Sequence, residues 1–537
     1  MLVLAATGHC WSNAAMAQTA TAGEYCTFTE GVRYSQLVID SRINDFKANT
    51  TASGFGVFDS QGRLIAAPNN FKFNLDYVPG LVAKAILEAV DYYKDRSEVD
   101  VRPWYYAIQY YGNTYDITQN GKEGMSFDDL NAVKLYFKLQ ELAGKGIFDD
   151  SPFYTNAVTL STAKKRFADA LKGISKANAK YVIKKSTLAD AAGGWWHKAS
   201  YTDQMWCDGQ YMGPALLAQM ANEYANYADI SVDDWDLITK QFTISWHFLW
   251  NDDDKLLYHA FTADPGGQAA ATWAGVSAKK GAEVYHSAEY WGRATGWYFL
   301  ALVDVLEQME KAGQGTTVNY QTLRGYLQQL AAGIAAKQDT ETGCWYQLLN
   351  HDDSYVAKSY NSSYSYTSSP VTNYLESSCT AIFIAAYLKG MRLGLYDTDY
   401  TALAKKAYQG FVENFMVADG KGGVHLVSCC KSAGLGGSNF RDGSANYYLM
   451  GKDTKPTSTS GEDFYTEGKV LGGFIMAATE YERMNDTDTS IHPVKVQDDT
   501  DQSLHSLTGS QLRQPPLHGI YIKGGKKIGV SNSSINN

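Results

Sequence analysis

Between Tyr77 and about Arg483 the apolar positions recur every three or four residues, and strict alternation of the strand type is scarce. In the first such stretch Val82, Ala85, Ile86, Ala89, Val90 and Tyr93 fall on one face of a helix. The same period returns near 128–143, 157–174, 209–227, 232–249, 290–311, 318–337, 375–393, 398–416 and 463–483. The pattern predicts about ten helices in roughly four hundred residues, joined by Gly- and Asp-rich loops, and an all-α fold class. No fixed-period repeat is present, so a regular solenoid is disfavoured. Paired helices in this number fit an irregular bundle or a closed toroid of six helical hairpins. Residues up to about Asp76 carry no clear period and read as a mixed extension packed on the helical body.

Length and composition narrow this only a little. A chain of 537 residues makes one large domain or two ordinary ones. With 45% hydrophobic and 19% charged residues it is globular, and its longest apolar run, Ala381 to Leu388, is far too short to span a bilayer. The net charge of −10 argues against nucleic acid as a general partner. Tyr, Phe and Trp together make up 13% of the chain. Rings that stack on the apolar faces of sugars are one use for such a surplus, and half-buried packing is the other.

Seven cysteines form neither a CxxC pair nor a disulfide framework, and the adjacent Cys429 and Cys430 read as two thiols. The start, MLVLAA through Ala15-Met16-Ala17, carries an A-x-A cleavage pattern and reads as a truncated signal peptide over 1–17. From Thr487 the chain turns polar, and 487–537 reads as a linker and a short hairpin. Its string Ser506-Leu507-Thr508-Gly509 to Gly519-Ile520-Tyr521-Ile522 resembles the tail of many exported Bacteroidetes proteins, so a periplasmic or extracellular location is expected.

Candidate chemistry is concentrated in two segments. In the first, Trp195-Trp196-His197-Lys198 is followed by Gln204-Met205-Trp206-Cys207-Asp208, just ahead of a helix starting near Gly209. Asp208 is there either the N-cap of that helix or a catalytic acid whose proton is retained by desolvation against Trp206, Tyr211 and Met205. In the second, Glu289 to Trp297 opens an apolar helix on which Arg293 is placed to fork onto a carboxylate or to form a structural salt bridge. Trp297 lies one turn later on the same face. His259 follows an acidic loop, and Asp128 opens a helix in Ser126-Phe127-Asp128-Asp129-Leu130-Asn131, where capping is the plain reading.

The strings DQMWCDGQYM, WGRATGWYFLALVDVLE, WYQLL, NYLESSCTAIF and GLGGSNFRDGSANYY, in that order over about four hundred residues, resemble the unsaturated rhamnogalacturonyl hydrolases of glycoside hydrolase family 105. These are close relatives of the unsaturated glucuronyl hydrolases of family 88. The resemblance implies an (α/α)6 barrel over 76–486, preceded by an N-terminal extension over 18–75. It also implies release of a terminal Δ4,5-unsaturated galacturonic acid from rhamnogalacturonan oligosaccharides by protonation and hydration of the C4=C5 enol ether. Asp208 then corresponds to the general acid and base, and Asp128 to the second carboxylate, with Asp129 leaving the register open by one residue. His197, His259, Arg293 and Trp297 correspond to sugar-contacting residues, and Trp206 and Gln204 are expected beside them. Thr295 stands where the family commonly has Asn.

Two other readings remain: the same chemistry on unsaturated glucuronyl fragments of glycosaminoglycan or ulvan, and a non-catalytic glycan-binding barrel. HExxH, GxSxG and Walker motifs are missing, the ten histidines are scattered, and the implied mechanism calls for neither metal nor cofactor.

Overall fold

The computed structural model describes residues 21–48, 77–108, 126–144, 185–223, 235–277, 285–357, 370–451 and 464–489, apart from some positions within them, and short strands within 57–66 and 504–530. The helix expected at 157–174 and the signal-like 1–17 segment lie outside the described residues. The first helices are α1 (Tyr34–Ala48), α2 (Tyr77–Tyr93), α3 (Phe127–Asn131), α4 (Lys134–Gly144), α5 (Cys207–Met212), α6 (Pro214–Glu223) and α7 (Trp235–Leu249). They are followed by α8 (Gly292–Lys311), α9 (Val318–Ala335), α10 (Ser377–Arg392), α11 (Thr401–Phe415), α12 (Ala445–Met450) and α13 (Phe464–Thr489).

Burial sorts these helices into two layers. α2, α8 and α10 are buried on nearly every side, as inner helices must be. α9 and α11 bury single stripes, Leu323-Leu327-Leu330-Ile334 and Ala404-Tyr408-Phe411-Phe415, as outer helices do. The inner layer closes on itself, since α2 packs on α4, α4 on α6, α6 on α8 and α8 on α10. α13 completes the ring between α10 and α2, where a Cβ on Gly472 would stand 2.5 Å from Leu81 Cγ and one on Gly473 3.2 Å from Ala381 Cβ. The protein is an (α/α)6 barrel.

Two expected helices are broken. Pro214 cannot donate an amide hydrogen and suits the first position of a new helix, so the 209–227 stretch divides into α5 and α6 at Gly213. The 128–143 stretch likewise divides into α3 and α4.

The chain before Asp76 packs on the helical body. Arg42 of α1 pairs with Glu467 of α13. Gly23 N and Cys26 N donate to Ala418 O and Met416 O at 2.8 and 2.9 Å. Its period is hidden from the sequence because Ser35, Ser41 and Arg42 are buried along with Val38 and Ile39.

The loops at one end carry a four-stranded antiparallel sheet of β1 (Gln204–Trp206), β2 (Ala260–Thr262), β3 (Val276–Ser277) and β4 (Tyr285–His286), in the order β1-β2-β4-β3. The inner helices α2, α8 and α10 also share a buried charged network. Lys389 Nζ lies 2.6 Å from Asp304 Oδ1 and 2.7 Å from Glu307 Oε2, and Lys84 Nζ 2.7 Å from Glu88 Oε1. No helix among the described residues is long and apolar enough to cross a membrane.

Residues 482–537 form a second compact unit. The hairpin expected there spans Gly519–Lys523 and Lys526–Val530, in register from Gly519↔Val530 to Lys523↔Lys526. Two further strands, Leu504–Ser506 and Gln511–Leu512, extend it to a four-stranded sheet.

Candidate active site

Backbone pairing assembles the site from distant segments. β1 pairs with β2 in the register Gln204↔Thr262, Met205↔Phe261 and Trp206↔Ala260, and Cys207 N donates to His259 O at 3.0 Å. Asp208 and His259 thus emerge side by side, with His259 Nε2 3.3 Å from Asp208 Oδ2. On the other flank Phe127 N donates to His197 O at 3.1 Å and Ser126 bridges Lys198. This brings Asp128 Oδ1 to 3.3 Å from His197 Nε2 and its Oδ2 to 2.6 Å from Lys198 Nζ. The carboxylate that meets this pair is that of Asp128.

Trp206 separates the two carboxylate–histidine pairs. Its ring stacks on His197 at 5.2 Å and on Tyr201 at 5.0 Å, each tilted by 13°, and meets His259 edge-on at 4.9 Å. A Cβ at position 209 would come within 3.0 Å of His197 Nδ1, so the close approach of ring to helix requires glycine beside Asp208.

The two carboxylates have different surroundings. Burial alone would raise the Asp128 pKa, but Lys198 and then His197 outweigh it and hold this carboxyl well below the ordinary range, so it stays ionised. Among the described residues, Asp208 has no cation at bonding distance other than the one His259 would become. Burial pushes the His259 pKa down against the pull of Asp208, so this imidazole is neutral at pH 7. Asp208 lies in the first turn of α5, whose N-cap is Trp206, and it does not cap the helix.

Residues 58–485 match the sequence model of Glycosyl Hydrolase Family 88. The chain belongs to this family. The 24.9 kDa protein in the picA locus of Rhizobium radiobacter is 30% identical over 235 residues, which is 41% of this chain and 84% of that protein. A solved glycoside hydrolase from family 105 of C. acetobutylicum ATCC 824 is 25% identical and superposes with a TM-score of 0.59 over 84% of this chain and 99% of that one. The family 88 match and the family 105 likeness bear out the kinship expected from the motifs.

In this family 88 glycoside hydrolase, Asp208, Asp128, His197, His259 and Trp206 converge, whereas three other expected sugar contacts are buried against protein partners. Arg293 is 1% exposed, and its guanidinium donates to Cys430 O at 2.6 Å, Ser378 Oγ at 3.2 Å and Lys431 O at 3.5 Å, beneath the Trp291 ring. It is spent on the protein and is not open to fork onto a ligand. Trp297 is buried in the ring interior, stacked on Tyr211 at 4.8 Å. Gln204 is buried and accepts from Trp206 Nε1 at 3.1 Å, so it orients that indole. Lys198 and Tyr448 are site residues that sequence reading missed. Lys198 was legible as the neighbour of His197, while Tyr448 lies in the quoted GLGGSNFRDGSANYY string with nothing there to pair it with His259.

Proposed function

We propose that this hydrolase releases a terminal Δ4,5-unsaturated galacturonic acid from rhamnogalacturonan oligosaccharides. The observation that carries the reading is the inequality of the two carboxylates: Asp128 is held ionised by Lys198 and His197, while Asp208 stands against a neutral His259. Two carboxyls with surroundings this different divide acid from anion. Asp208 delivers a proton to C4 of the enol ether, and positive charge develops at C5 and the ring oxygen. The ionised Asp128 opposes that charge. Asp208, now a carboxylate, takes a proton from the water that adds at C5. The hemiketal opens, and the hemiacetal left at C1 collapses to free the aglycone, with no nucleophile at the anomeric carbon. The uronate carboxylate is assigned to Lys198, whose side chain is 31% exposed.

The galacturonyl-rhamnose specificity is supported by the motif resemblance and by the family 105 likeness. An exported setting, read from Ala15-Met16-Ala17 and the C-terminal string, goes with substrates produced by polysaccharide lyases. The test is the loss of ultraviolet absorbance of the conjugated C4=C5 bond in an unsaturated galacturonyl-rhamnose disaccharide, with Asp208→Asn as control. A fall that depends on Asp208 supports the reading. A fall only with an unsaturated glucuronyl disaccharide moves the substrate and keeps the chemistry, and no fall with either favours a glycan-binding barrel.

A further inference from the structure

The Tyr448 hydroxyl lies 2.8 Å from His259 Nδ1, while His259 Nε2 faces Asp208 Oδ2 at 3.3 Å. The imidazole therefore bridges a phenol and a carboxyl, and a neutral ring carries hydrogen on only one of its nitrogens. Both aromatic groups are neutral at pH 7, because burial pushes His259 down and Tyr448 well up. Charged or titratable groups facing His259 are Asp208 on α5, His197 on the preceding segment and Arg293 on α8.

Counting donors decides the tautomer. Tyr448 is fully buried, and among the described residues its hydroxyl has His259 Nδ1 as its partner. A hydrogen on Nδ1 would leave the phenol proton without an acceptor, at a cost of about 1–3 kcal/mol. With the phenol as donor, Nδ1 accepts and the ring hydrogen sits on Nε2, the nitrogen 3.3 Å from Asp208 Oδ2.

The phenol is held in place by its surroundings. Ser444 caps α12 by accepting from Tyr447 N at 3.2 Å, and Asp442 accepts from Ser444 Oγ at 2.7 Å. Tyr448 O accepts from Gln347 Nε2 at 3.2 Å, and Gln347 Oε1 accepts from Trp291 Nε1 at 3.1 Å. The Trp291 ring packs 4.8 Å from His259, so one glutamine ties together two groups that enclose the imidazole.

We propose that Tyr448 is a positioning residue that fixes His259 in the Nε2–H tautomer facing Asp208. In that form His259 donates to the carboxylate that Asp208 becomes after giving up its proton. The opposite tautomer would set a lone pair against the same anion. The kinetic consequence rests on the hydrolase reading above, whereas the tautomer does not.

The experiment compares Tyr448→Phe with Tyr447→Phe, which removes the neighbouring buried hydroxyl that donates to Gly434 O and leaves His259 untouched. Nitrogen-15 spectra of histidine-labelled protein, with the His259 signals assigned by their loss in His259→Gln, report which ring nitrogen is protonated. The wild type and Tyr447→Phe should show Nε2–H, and Tyr448→Phe a mixture or Nδ1–H. On the unsaturated disaccharide, Tyr448→Phe should lose about tenfold or more in kcat with KM within about twofold. Its kcat/KM profile against pH should differ from that of the wild type, because the hydrogen on the ring nitrogen facing Asp208 is no longer fixed. Tyr447→Phe should keep the wild-type profile. Hydrogen on Nδ1 in the wild type, or a Tyr448→Phe variant with unchanged tautomer and pH profile, would overturn the proposal. If no variant or wild type turns over the sugar, the hydrolase reading fails and the spectra still decide the role of Tyr448.

Discussion

Asp208 and His259 face each other across 3.3 Å because the amide after Trp206 donates to the carbonyl of His259 itself. One backbone hydrogen bond at the end of the β1–β2 ladder thus sets the distance between the proposed acid and its histidine. The pairing depends on the strand register, and a slip by one residue would turn one partner away.

Asp208→Asn should retain the fold and lose at least about a thousandfold in kcat, since general acid and general base are removed together. The side chain is 15% exposed and does not cap α5, so the thermal midpoint should move by no more than a few degrees. Turnover near the wild-type rate in the absorbance assay would end the assignment.

Lys198 and Arg293 should separate binding from stability. Lys198→Ala should raise KM about tenfold, the equivalent of about 1.4 kcal/mol, by removing the cation proposed for the uronate. Arg293→Ala should instead destabilise by about 3–5 kcal/mol, because Cys430 O and Ser378 Oγ lose a buried charged donor and Glu376, which accepts from Ser378 Oγ and Cys430 N, loses its nearby cation. Denaturant titration and initial rates on both variants check this. An Arg293→Ala protein of wild-type stability with a raised KM would return Arg293 to the sugar.

Gly209→Ala should lower the thermal midpoint by a few degrees, because crowding a buried ring outweighs the helix propensity of alanine. The added methyl meets His197 Nδ1 at 3.0 Å and must displace the ring that stacks on Trp206. A drop of about tenfold in kcat/KM is expected, the scale of a small misplacement of reacting groups. Unaltered kinetics would show that the stack does not hold the site.

Acid should loosen the contact between α1 and α13. Burial would raise the Glu467 carboxyl, but Arg42, with His425 and the Leu426 amide, outweighs it and holds its pKa at about 2. An unfolded glutamate titrates near about 4.3, so the stabilisation is complete above that pH and is lost as pH falls from there towards 2. The two-unit difference corresponds to about 3 kcal/mol. Urea midpoints at pH 7 and 3 should therefore converge in Glu467→Gln relative to the wild type, and an equally steep acid limb in the variant would refute the assignment.

Much of this architecture was legible in the chain. The 3.6-residue period located α2, α7, α8, α9, α10 and α11 because each must present apolar side chains to a neighbour, and the all-round apolar run of α8 marks an inner helix. The local motifs around Asp208, His197, His259 and Asp128 named the groups that converge, since the backbone pairings that unite them involve the residues within or beside those motifs. What periodicity and motifs do not encode is how far each side chain lies from solvent once the ring closes. Arg293 and Trp297 sit in the WGRATGW motif and Gln204 in the segment of the acid, yet closure places the first against the Cys430 carbonyl, the second on Tyr211 and the third against an indole. α1 stayed hidden because its inward face carries serine and arginine, whose burial is satisfied only by partners such as Val424 N and Glu467. Tyr448 reaches His259 only in the folded barrel, because a hydrogen bond between residues 189 positions apart has no local signal: the packing of α12 against the loops, and not the composition of either segment, makes it.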